Sequence, residues 1–328
     1  MKSNLLRLFG LAMLAVILQG CSHPKPGFWV NDKIDPDKRA KLHELNNLVF
    51  KDIKARDDKH IRSFLSKELL DAKSLNREVE LIGNYLKKDD YELYNEYYVV
   101  NKWHDQDTIK LPVTGINSYS LYYKGLEKEM YIAFYLPKTG NAKKMITVIY
   151  CNYSYGWKVA KFGLAFYTIN NKTAPELYNL AKEELSKGYL SDAVTTIDLA
   201  KSCLVPSEVW KYPQEDQIGA FSNSLVVMAN NKFKEPFIIN VPTHPRIFRV
   251  FNEKTPDEYY YPEIYYLSSI KLKDTIAIRK EYMAVKKEIG KTIPGIDKDK
   301  KFLFFGVFNE RPTFKKPVDH FDITDKLQ

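Results

Sequence analysis

The chain has 328 residues, a length that is typical of two compact units. Apolar residues make up 45% of it and charged residues 28%, which excludes a disordered chain, and 14 Gly with 16 Pro exclude a collagenous or linker architecture. The formal net charge of +9 would suit nucleic-acid binding, but the sequence contains no RNP, zinc-finger or basic-helix motif.

The first residues have the pattern of a secretory signal. Lys2 and Arg7 precede an uninterrupted apolar run over residues 8–18. This run is too short to cross a bilayer, which needs about 20 residues. A charged start, a short apolar run and a small residue before the cut are typical of a signal peptide.

The signal ends in the motif Leu18-Gln19-Gly20-Cys21. This motif resembles the lipobox of bacterial lipoproteins. The resemblance implies that residues 1–20 are removed, and that Cys21 carries a diacylglycerol and usually an N-acyl chain. Two or three acyl chains hold a protein firmly on a membrane, where one chain binds only marginally. The alternative is an ordinary signal peptide in which the cysteine is coincidental.

Residues 21–34 are expected to join the lipid to the folded part. Pro24, Pro26 and Gly27 disfavour a helix, which is typical of a tether. Ser22 is not the acidic residue that retains many lipoproteins in the inner membrane, and no acidic cluster directs the chain to the cell surface. By resemblance, the expected location is the bacterial cell envelope, at the periplasmic face of the outer membrane.

The basic surplus lies in the half nearest the predicted anchor. There are 25 basic and 19 acidic side chains between Cys21 and Thr173, against 23 and 22 from Ala174 onward. In a lipoprotein this surplus favours anionic lipid head groups or acidic envelope polymers as partners, and not nucleic acid. A solvated surface with a modest surplus is the plainer interpretation.

Helices are predicted first and a sheet after them. Asp35-Pro36 is typical of a helix start, and apolar residues recur at helical spacing up to Ile53. Two shorter helices are predicted over residues 60–72 and 74–87. The hydrophobic period then changes to that of strands, and short turns between them require antiparallel pairing. The predicted strands cover residues 91–101, 116–124, 128–136, 144–153 and 157–168.

This order of elements, with Gly156-Trp157-Lys158-Val159 opening the last strand, resembles the NTF2-like superfamily of cone-shaped α+β domains. The resemblance covers about residues 35–170 of a domain assigned to residues 35–172, and a cystatin-like helix-on-sheet domain has a similar order. We expect Trp157 to pack between the sheet and the first helix. Its replacement by Ala would then cost about 3–5 kcal/mol.

Residues 173–231 are predicted to form a helical hairpin followed by one helix. Residues 174–206 resemble a single tetratricopeptide-like repeat, because Leu177, Ala181 and Gly188 fall close to the family spacing. Such arrays need about three repeats, and only one is present. A plain helical hairpin packed on a neighbouring domain is therefore the alternative.

Residues 232–328 are predicted to form a small α+β unit, so the whole chain is assigned to the α+β class. Its strands cover residues 236–241, 246–252, 259–270 and 301–309, with a helix opened by Asp274 before the last strand. Pro262 has no backbone N–H to donate to a neighbouring strand, which places the third strand at an edge or bulge of the sheet.

No metal or cofactor is implied by the motifs. The histidines form no HExxH or Cys/His cluster, and Asp297-Lys298-Asp299-Lys300 lacks the glycine and glutamate of a calcium loop. No nucleophile or phosphate-loop motif is present. An oxidising periplasm would allow Cys151 and Cys203 to pair, but two buried free thiols are an equal alternative.

Two stretches could carry chemistry. The first is Trp103-His104-Asp105-Gln106-Asp107, where a His beside carboxylates could act as a general base. Adjacent residues on a strand point to opposite faces, so a solvated loop is favoured. The second is the tyrosine-rich run over residues 259–266, which could stack on sugar rings, although packing is the commoner role of such strands.

We therefore interpret the chain as a lipid-anchored cell-envelope protein with a binding or scaffolding role and no evident catalysis. Its expected partners are membrane lipid, through acylated Cys21, and an envelope protein or polysaccharide. One alternative is an NTF2-like enzyme that acts on a small molecule in the cone, using His104. Another is a glycan-binding lipoprotein that uses its tyrosine-rich strand. A cone lined by carboxylate and His would favour the enzyme, and a filled cone would favour the scaffold.

Overall fold

The computed structural model of the chain describes residues 25–313 and 316–327. These residues form an α+β fold with three sheets. The strands are β1 (Gly27–Val30), β2 (Tyr91–Val100), β3 (Gln106–Lys110), β4 (Ser120–Lys124), β5 (Glu129–Pro137), β6 (Lys144–Tyr153), β7 (Gly156–Phe166), β8 (Trp210–Lys211), β9 (Phe237–Ile238), β10 (Arg246–Lys254), β11 (Tyr260–Leu267), β12 (Phe302–Phe308) and β13 (His320–Lys326). The helices are α1 (Pro36–Ala55), α2 (Asp58–Ile61), α3 (Lys67–Leu70), α4 (Leu75–Lys88), α5 (Ala174–Ser186), α6 (Leu190–Ser202), α7 (Glu215–Lys232) and α8 (Thr275–Thr292). None of these described helices combines the length and hydropathy of a membrane span.

The first sheet has the order β1-β2-β5-β6-β7 and is antiparallel throughout. Its edge strand β1 comes from residues that were assigned to the tether. Gly27 pairs with Val100 and Val30 pairs with Tyr97, so regular structure already begins at Gly27. The sequence did not indicate this strand, because four residues are too few to show a strand period.

The helices before this sheet are partly as expected. Asp35 caps α1 by accepting a hydrogen bond from the backbone N–H of Lys38 at 3.0 Å, and α4 also forms. The prediction of a single helix over residues 60–72 is wrong. Leu65 is extended and forms a parallel bridge with Val159, and the N–H of Ser66 donates to the Val159 carbonyl at 2.9 Å. Pairing with β7 therefore interrupts the helix between α2 and α3.

One face of the sheet is covered by α1 and α4. Buried apolar side chains of the helices meet a layer of buried tyrosines on the strands. The helix side includes Leu42, Val49, Ile53, Ile82 and Leu86, and the sheet side includes Tyr98, Tyr131, Tyr135, Tyr150 and Val159. Trp157 is half-buried against this cluster, with its ring 6.1 Å from that of Tyr98.

The other face is covered by the helical hairpin α5–α6, by α7 and by the small sheet β3-β4-β8. The hairpin and the following helix form as predicted, and Gly188 has the left-handed φ of 79° that the turn between α5 and α6 requires. The hydrophobic cluster on this face spans residues on both sides of the expected boundary at 172 and 173. Cys151 and Cys203 both lie in it and are free thiols.

The C-terminal sheet has the order β13-β12-β11-β10-β9, and only β11 and β12 run parallel. Helix α8 connects these two strands and packs on one face of the sheet. The expectation that Pro262 marks an edge strand is wrong, because β11 lies between β10 and β12. Pro262 pairs with Asn252 of β10, and pairing with β12 begins only at Glu263. Pro262 therefore precedes the first residue of β11 that pairs with β12, where no backbone N–H is needed.

A partly buried lysine joins the C-terminal unit to the hairpin. The Lys300 Nζ lies 2.8 Å from a carboxylate oxygen of Asp192 on α6 and 2.9 Å from the carbonyl oxygens of Gly295 and Lys298. The Asn252 amide donates to the Thr195 carbonyl at 2.8 Å. Because Asp192 is only 2% exposed, the ammonium group balances a charge that water does not reach.

Candidate binding surface

The stretch around His104 does not form a catalytic centre with the other described residues. Cys21 lies outside the described residues. His104 lies on an exposed loop, with its Nδ1 3.2 Å from the Leu126 carbonyl oxygen. Asp105 and Asp107 each accept a hydrogen bond from the backbone N–H of the following residue at 2.7 Å. These groups therefore face solvent and not the covered face of the sheet.

A different His–carboxylate pair lies under α1, and the sequence analysis missed it. Glu96 on β2 is fully buried and binds three side chains. It lies 2.5 Å from Arg39 Nε, 2.7 Å from His43 Nε2 and 2.6 Å from Tyr131 Oη. Burial raises the pKa of Tyr131 far above its ordinary value. The spacing of Arg39 and His43, one helical turn apart, was the available signal.

This cluster stabilises the packing of α1 on the sheet. Both carboxylate oxygens of Glu96 have partners, and one of them accepts from two groups. Tyrosines fill the covered face around it. Such a carboxylate has no oxygen left to take a proton from a substrate, so the arrangement fits a structural role better than general-base chemistry.

From the stretch Asp297–Lys300, the residues Lys298, Asp299 and Lys300 line a cleft of about 190 Å³ between the hairpin and β11. Glu184 of α5 also lines this cleft, and burial raises its pKa to about 7. Among the described residues, no group of three or more His, Cys, Asp or Glu side chains is placed to hold a metal ion. The ammonium group of Lys300 instead binds the carboxylate of Asp192.

The C-terminal sheet carries aromatic side chains on the face opposite α8. Alternation along β10, β11 and β12 places them on this face, and none of them belongs to a hydrophobic cluster of the described residues. All except Phe308 are partly exposed. We call this surface the aromatic face, and its rings are Phe251, Tyr261, Tyr265, Phe302, Phe304 and Phe308.

The rings of the aromatic face form two contiguous groups. The ring centroid of Tyr265 lies 4.8 Å from that of Phe251 and 4.8 Å from that of Phe308. Phe302 lies 5.6 Å from Tyr261 and stacks on Phe304 at 6.1 Å with an interplanar angle of 14°. These separations are typical of favourable aromatic pairs.

Gly306 lets the Tyr265 ring lie over the backbone of β12. The two residues are directly opposite in the parallel pairing of β11 and β12. A Cβ atom at position 306 would lie 2.6 Å from the Tyr265 ring. An aromatic ring over a strand glycine covers the exposed backbone and fixes the register of the pair. The aromatic face therefore depends on a residue with no side chain.

Glu263 lies at the centre of the aromatic face. It stands opposite Phe251 on one side and Phe304 on the other, and Tyr261 and Tyr265 lie two residues away along β11, at about 7 Å. The side chain is on the uncovered side of the sheet, yet the residue is only 7% exposed. The surrounding rings therefore remove most of its contact with water.

The carboxyl group of Glu263 makes no hydrogen bond or ion pair with the described side chains. Burial raises its pKa to about 7, and the negative charges of Glu253 and Asp322 act in the same direction. His320 and Arg249 oppose this shift. The Arg249 guanidinium itself lies over the Phe251 ring, 4.5 Å from its centroid. The Glu263 oxygens are not among the fully enclosed polar atoms without a partner, so a ligand group could reach them from the uncovered side of the sheet.

The sequence identified part of this surface. The tyrosine-rich run includes Tyr261 and Tyr265, but Glu263 between them was not singled out. The alternation of Phe302, Phe304 and Phe308 along the last predicted strand was the missed signal, because every residue on that strand face except Gly306 is aromatic.

No family model, curated protein or solved structure matches the chain. The interpretation of the aromatic face therefore depends on its own geometry.

Proposed function

We propose that the protein is a lipid-anchored cell-envelope protein that binds a saccharide on the aromatic face. The observation that carries this proposal is the set of aromatic rings, packed on no other layer of the described residues, around one buried and unpaired carboxyl group. Partly exposed aromatic patches of this kind are typical of interaction sites.

The chemistry of the face matches that of a sugar ring. The C–H groups of a sugar ring form an apolar surface that can stack on Phe302, Phe304 or Tyr265. The tyrosine hydroxyls and the Glu263 carboxyl are polar groups that can bind its hydroxyls. Few polar groups among many apolar ones are typical of ligand sites, because the apolar surface contributes affinity and the polar groups set orientation.

The rest of the chain has a scaffolding role in this proposal. The resemblance of residues 35–172 to NTF2-like domains is supported by helices packed on one face of an antiparallel sheet. The hairpin α5–α6 resembles a single tetratricopeptide-like repeat that packs on the other face. In this proposal the anchor at Cys21 places the aromatic face at the periplasmic side of the outer membrane.

The pair His43–Glu96 favours a second candidate function, that of an NTF2-like enzyme. Its test is the His43→Gln variant, with any activity found for the chain as the readout. Loss of activity with an unchanged free energy of unfolding would favour the enzyme. We favour binding, because Glu96 already has a partner on each oxygen.

The anchor is tested by replacing Cys21 with Ser. We expect the variant to leave the membrane fraction and to take up no labelled palmitate. A variant that stays with the membranes and takes up as much label as the wild type would show that the cysteine is not lipidated.

Binding is tested on an array of neutral, acidic and amine-bearing oligosaccharides, with the purified chain in detergent. We expect the wild type to bind a subset, and a variant with Phe302→Ala and Phe304→Ala to lose that binding. Tyr122→Ala is the matched control, because Tyr122 is a 52% exposed aromatic on β4, far from this face in the chain. Binding that the double variant retains would contradict the proposed surface.

A further inference from the structure

We infer that the ligand of the aromatic face carries a positively charged ammonium group that binds over Glu263. This inference rests on the proposal that the aromatic face is the binding surface, and it names the chemical group that the surface recognises.

The first support is the unpaired charge. A carboxylate shielded from water is costly unless a positive group or hydrogen-bond donors compensate it. Glu263 is 7% exposed, and no described lysine, arginine or histidine forms an ion pair with it. A cation from outside would supply the missing partner.

The second support is the ring of aromatic side chains around the carboxyl group. Phe251 and Phe304 flank Glu263 across the sheet, and Tyr261 and Tyr265 flank it along β11. A cation over the face of an aromatic ring is attracted by the negative charge of the ring's π system, and aromatic cages are known to recognise quaternary ammonium groups. Carboxylate and rings therefore favour the same kind of ligand group.

The third support comes from the protein's own cations. The Arg249 guanidinium lies 4.5 Å from the centroid of Phe251, and Lys301 Nζ lies 5.8 Å from that of Tyr259. Both are at the margin of the face, and neither forms an ion pair with Glu263. Rings at the edge of the face therefore already bind cationic side chains of the protein. No described cationic side chain forms an ion pair with Glu263 at its centre.

A metal ion fits this site poorly. Calcium takes six to eight oxygen ligands and magnesium requires near-octahedral geometry, and no group of three or more His, Cys, Asp or Glu side chains among the described residues is placed to hold a metal ion. A methylated ammonium group tolerates apolar and aromatic neighbours, since its charge is spread over methyl groups.

The pH dependence follows from the groups that face Glu263. Arg249 and Glu253 on β10, and His320 and Asp322 on β13, are the charged or titratable neighbours. As pH rises from 6 to 8 Glu263 loses its proton, so the affinity for a permanently charged cation should rise. The same measurement on a variant at Glu263 separates its contribution from that of these neighbours.

The test compares choline with 3,3-dimethylbutan-1-ol, which has nearly the same shape and no charge. Binding to the purified chain in detergent is followed by ligand-observed NMR at pH 8. We expect the wild type to bind choline about tenfold more tightly than the alcohol. We expect Glu263→Gln to lose most of this preference, because only the rings then attract the charge. The control Glu208→Gln, at an exposed carboxylate paired with Lys161, should keep it.

Equal binding of the two probes by the wild type would overturn the inference, and so would a preference that Glu263→Gln retains in full. Circular dichroism of the Glu263→Gln variant establishes that it is folded. The saccharide array decides the proposed function separately. A chain that binds saccharides without a charge preference contradicts this inference alone, and one that binds choline but no saccharide contradicts the saccharide proposal alone.

Discussion

Replacing Glu263 by Gln should stabilise the protein at pH 8 and leave its stability nearly unchanged at pH 4. The folded state raises the pKa of this carboxyl group from its ordinary 4.5 to about 7. Below pH 4.5 the group is protonated in both the folded and the unfolded chain. As pH rises to 7 the unfolded chain loses the proton first, so the free energy of unfolding falls with increasing pH.

The size of this effect follows from the pKa difference. Each pKa unit corresponds to 1.36 kcal/mol. Because solvent screens part of this interaction, Glu263 should lower the free energy of unfolding by about 1–2 kcal/mol at pH 8. Glutamine has nearly the same shape and no charge, and it avoids this penalty. Burial also raises the pKa of Glu184 to about 7. The effect of Glu184 on stability is the same in the wild type and in Glu263→Gln, so it cancels in the difference between their free energies of unfolding.

The assay is urea-induced unfolding of the wild type and of Glu263→Gln between pH 4 and pH 8. We expect the stability difference to be near zero at pH 4 and to grow in favour of the variant up to pH 7, after which it stays constant. A difference that is the same at every pH would refute the reasoning, because it would show that the carboxyl group is ionised without penalty.

Three further substitutions test the packing. Glu96→Ala leaves the buried hydroxyl of Tyr131 and the partly exposed Arg39 and His43 without this acceptor, and should lower the free energy of unfolding by about 2–4 kcal/mol. Glu129→Ala removes a more exposed ion pair and should cost less than about 1 kcal/mol. Equal losses would contradict the structural role of Glu96. Lys300→Met leaves its aspartate partner buried and unpaired, so limited proteolysis should cut between the hairpin and the C-terminal unit faster, while Lys316→Met, at an exposed pair, should change nothing. Trp157→Ala should cost about 2 kcal/mol in thermal unfolding, less than a fully buried Trp, since the ring is half-buried; an unchanged melting temperature would place the ring in solvent.

The sequence predicted the elements whose signals are local. Asp35 and Asp274 cap their helices as expected, because a cap requires only a polar side chain and the next turn. The strand over residues 144–153 was also predicted with its observed bounds, since it has a long alternating pattern. These features depend on neighbours within a few residues, which the sequence shows directly.

The failures have long-range causes. The helix over residues 60–72 breaks because Leu65 pairs with Val159, about a hundred residues later. Pro262 lies in an interior strand because the ladder on its β12 side starts one residue after it. Neither partner can be read from the local pattern, so local propensity was the wrong guide at both places.

For the candidate site, too, the sequence showed the local features and not the long-range ones. Tyr261 and Tyr265 were part of the noted tyrosine run, because composition identifies an aromatic strand. Their juxtaposition with Phe251 and Phe304 around Glu263 depends on the pairing of three strands. The helix α8 intervenes between β11 and β12, so the sequence separates residues that the sheet brings together.

The central claim is that the aromatic face binds a saccharide, and isothermal titration calorimetry tests it most directly. The purified chain in detergent is titrated with the oligosaccharide that binds most strongly on the array, alongside Tyr265→Ala and the control Tyr122→Ala. The account predicts that Tyr265→Ala lowers the affinity about tenfold or more, because the stacking ring over Gly306 is lost, and that the control binds like the wild type. Equal affinities of all three proteins, or a wild type that binds no saccharide, would contradict it.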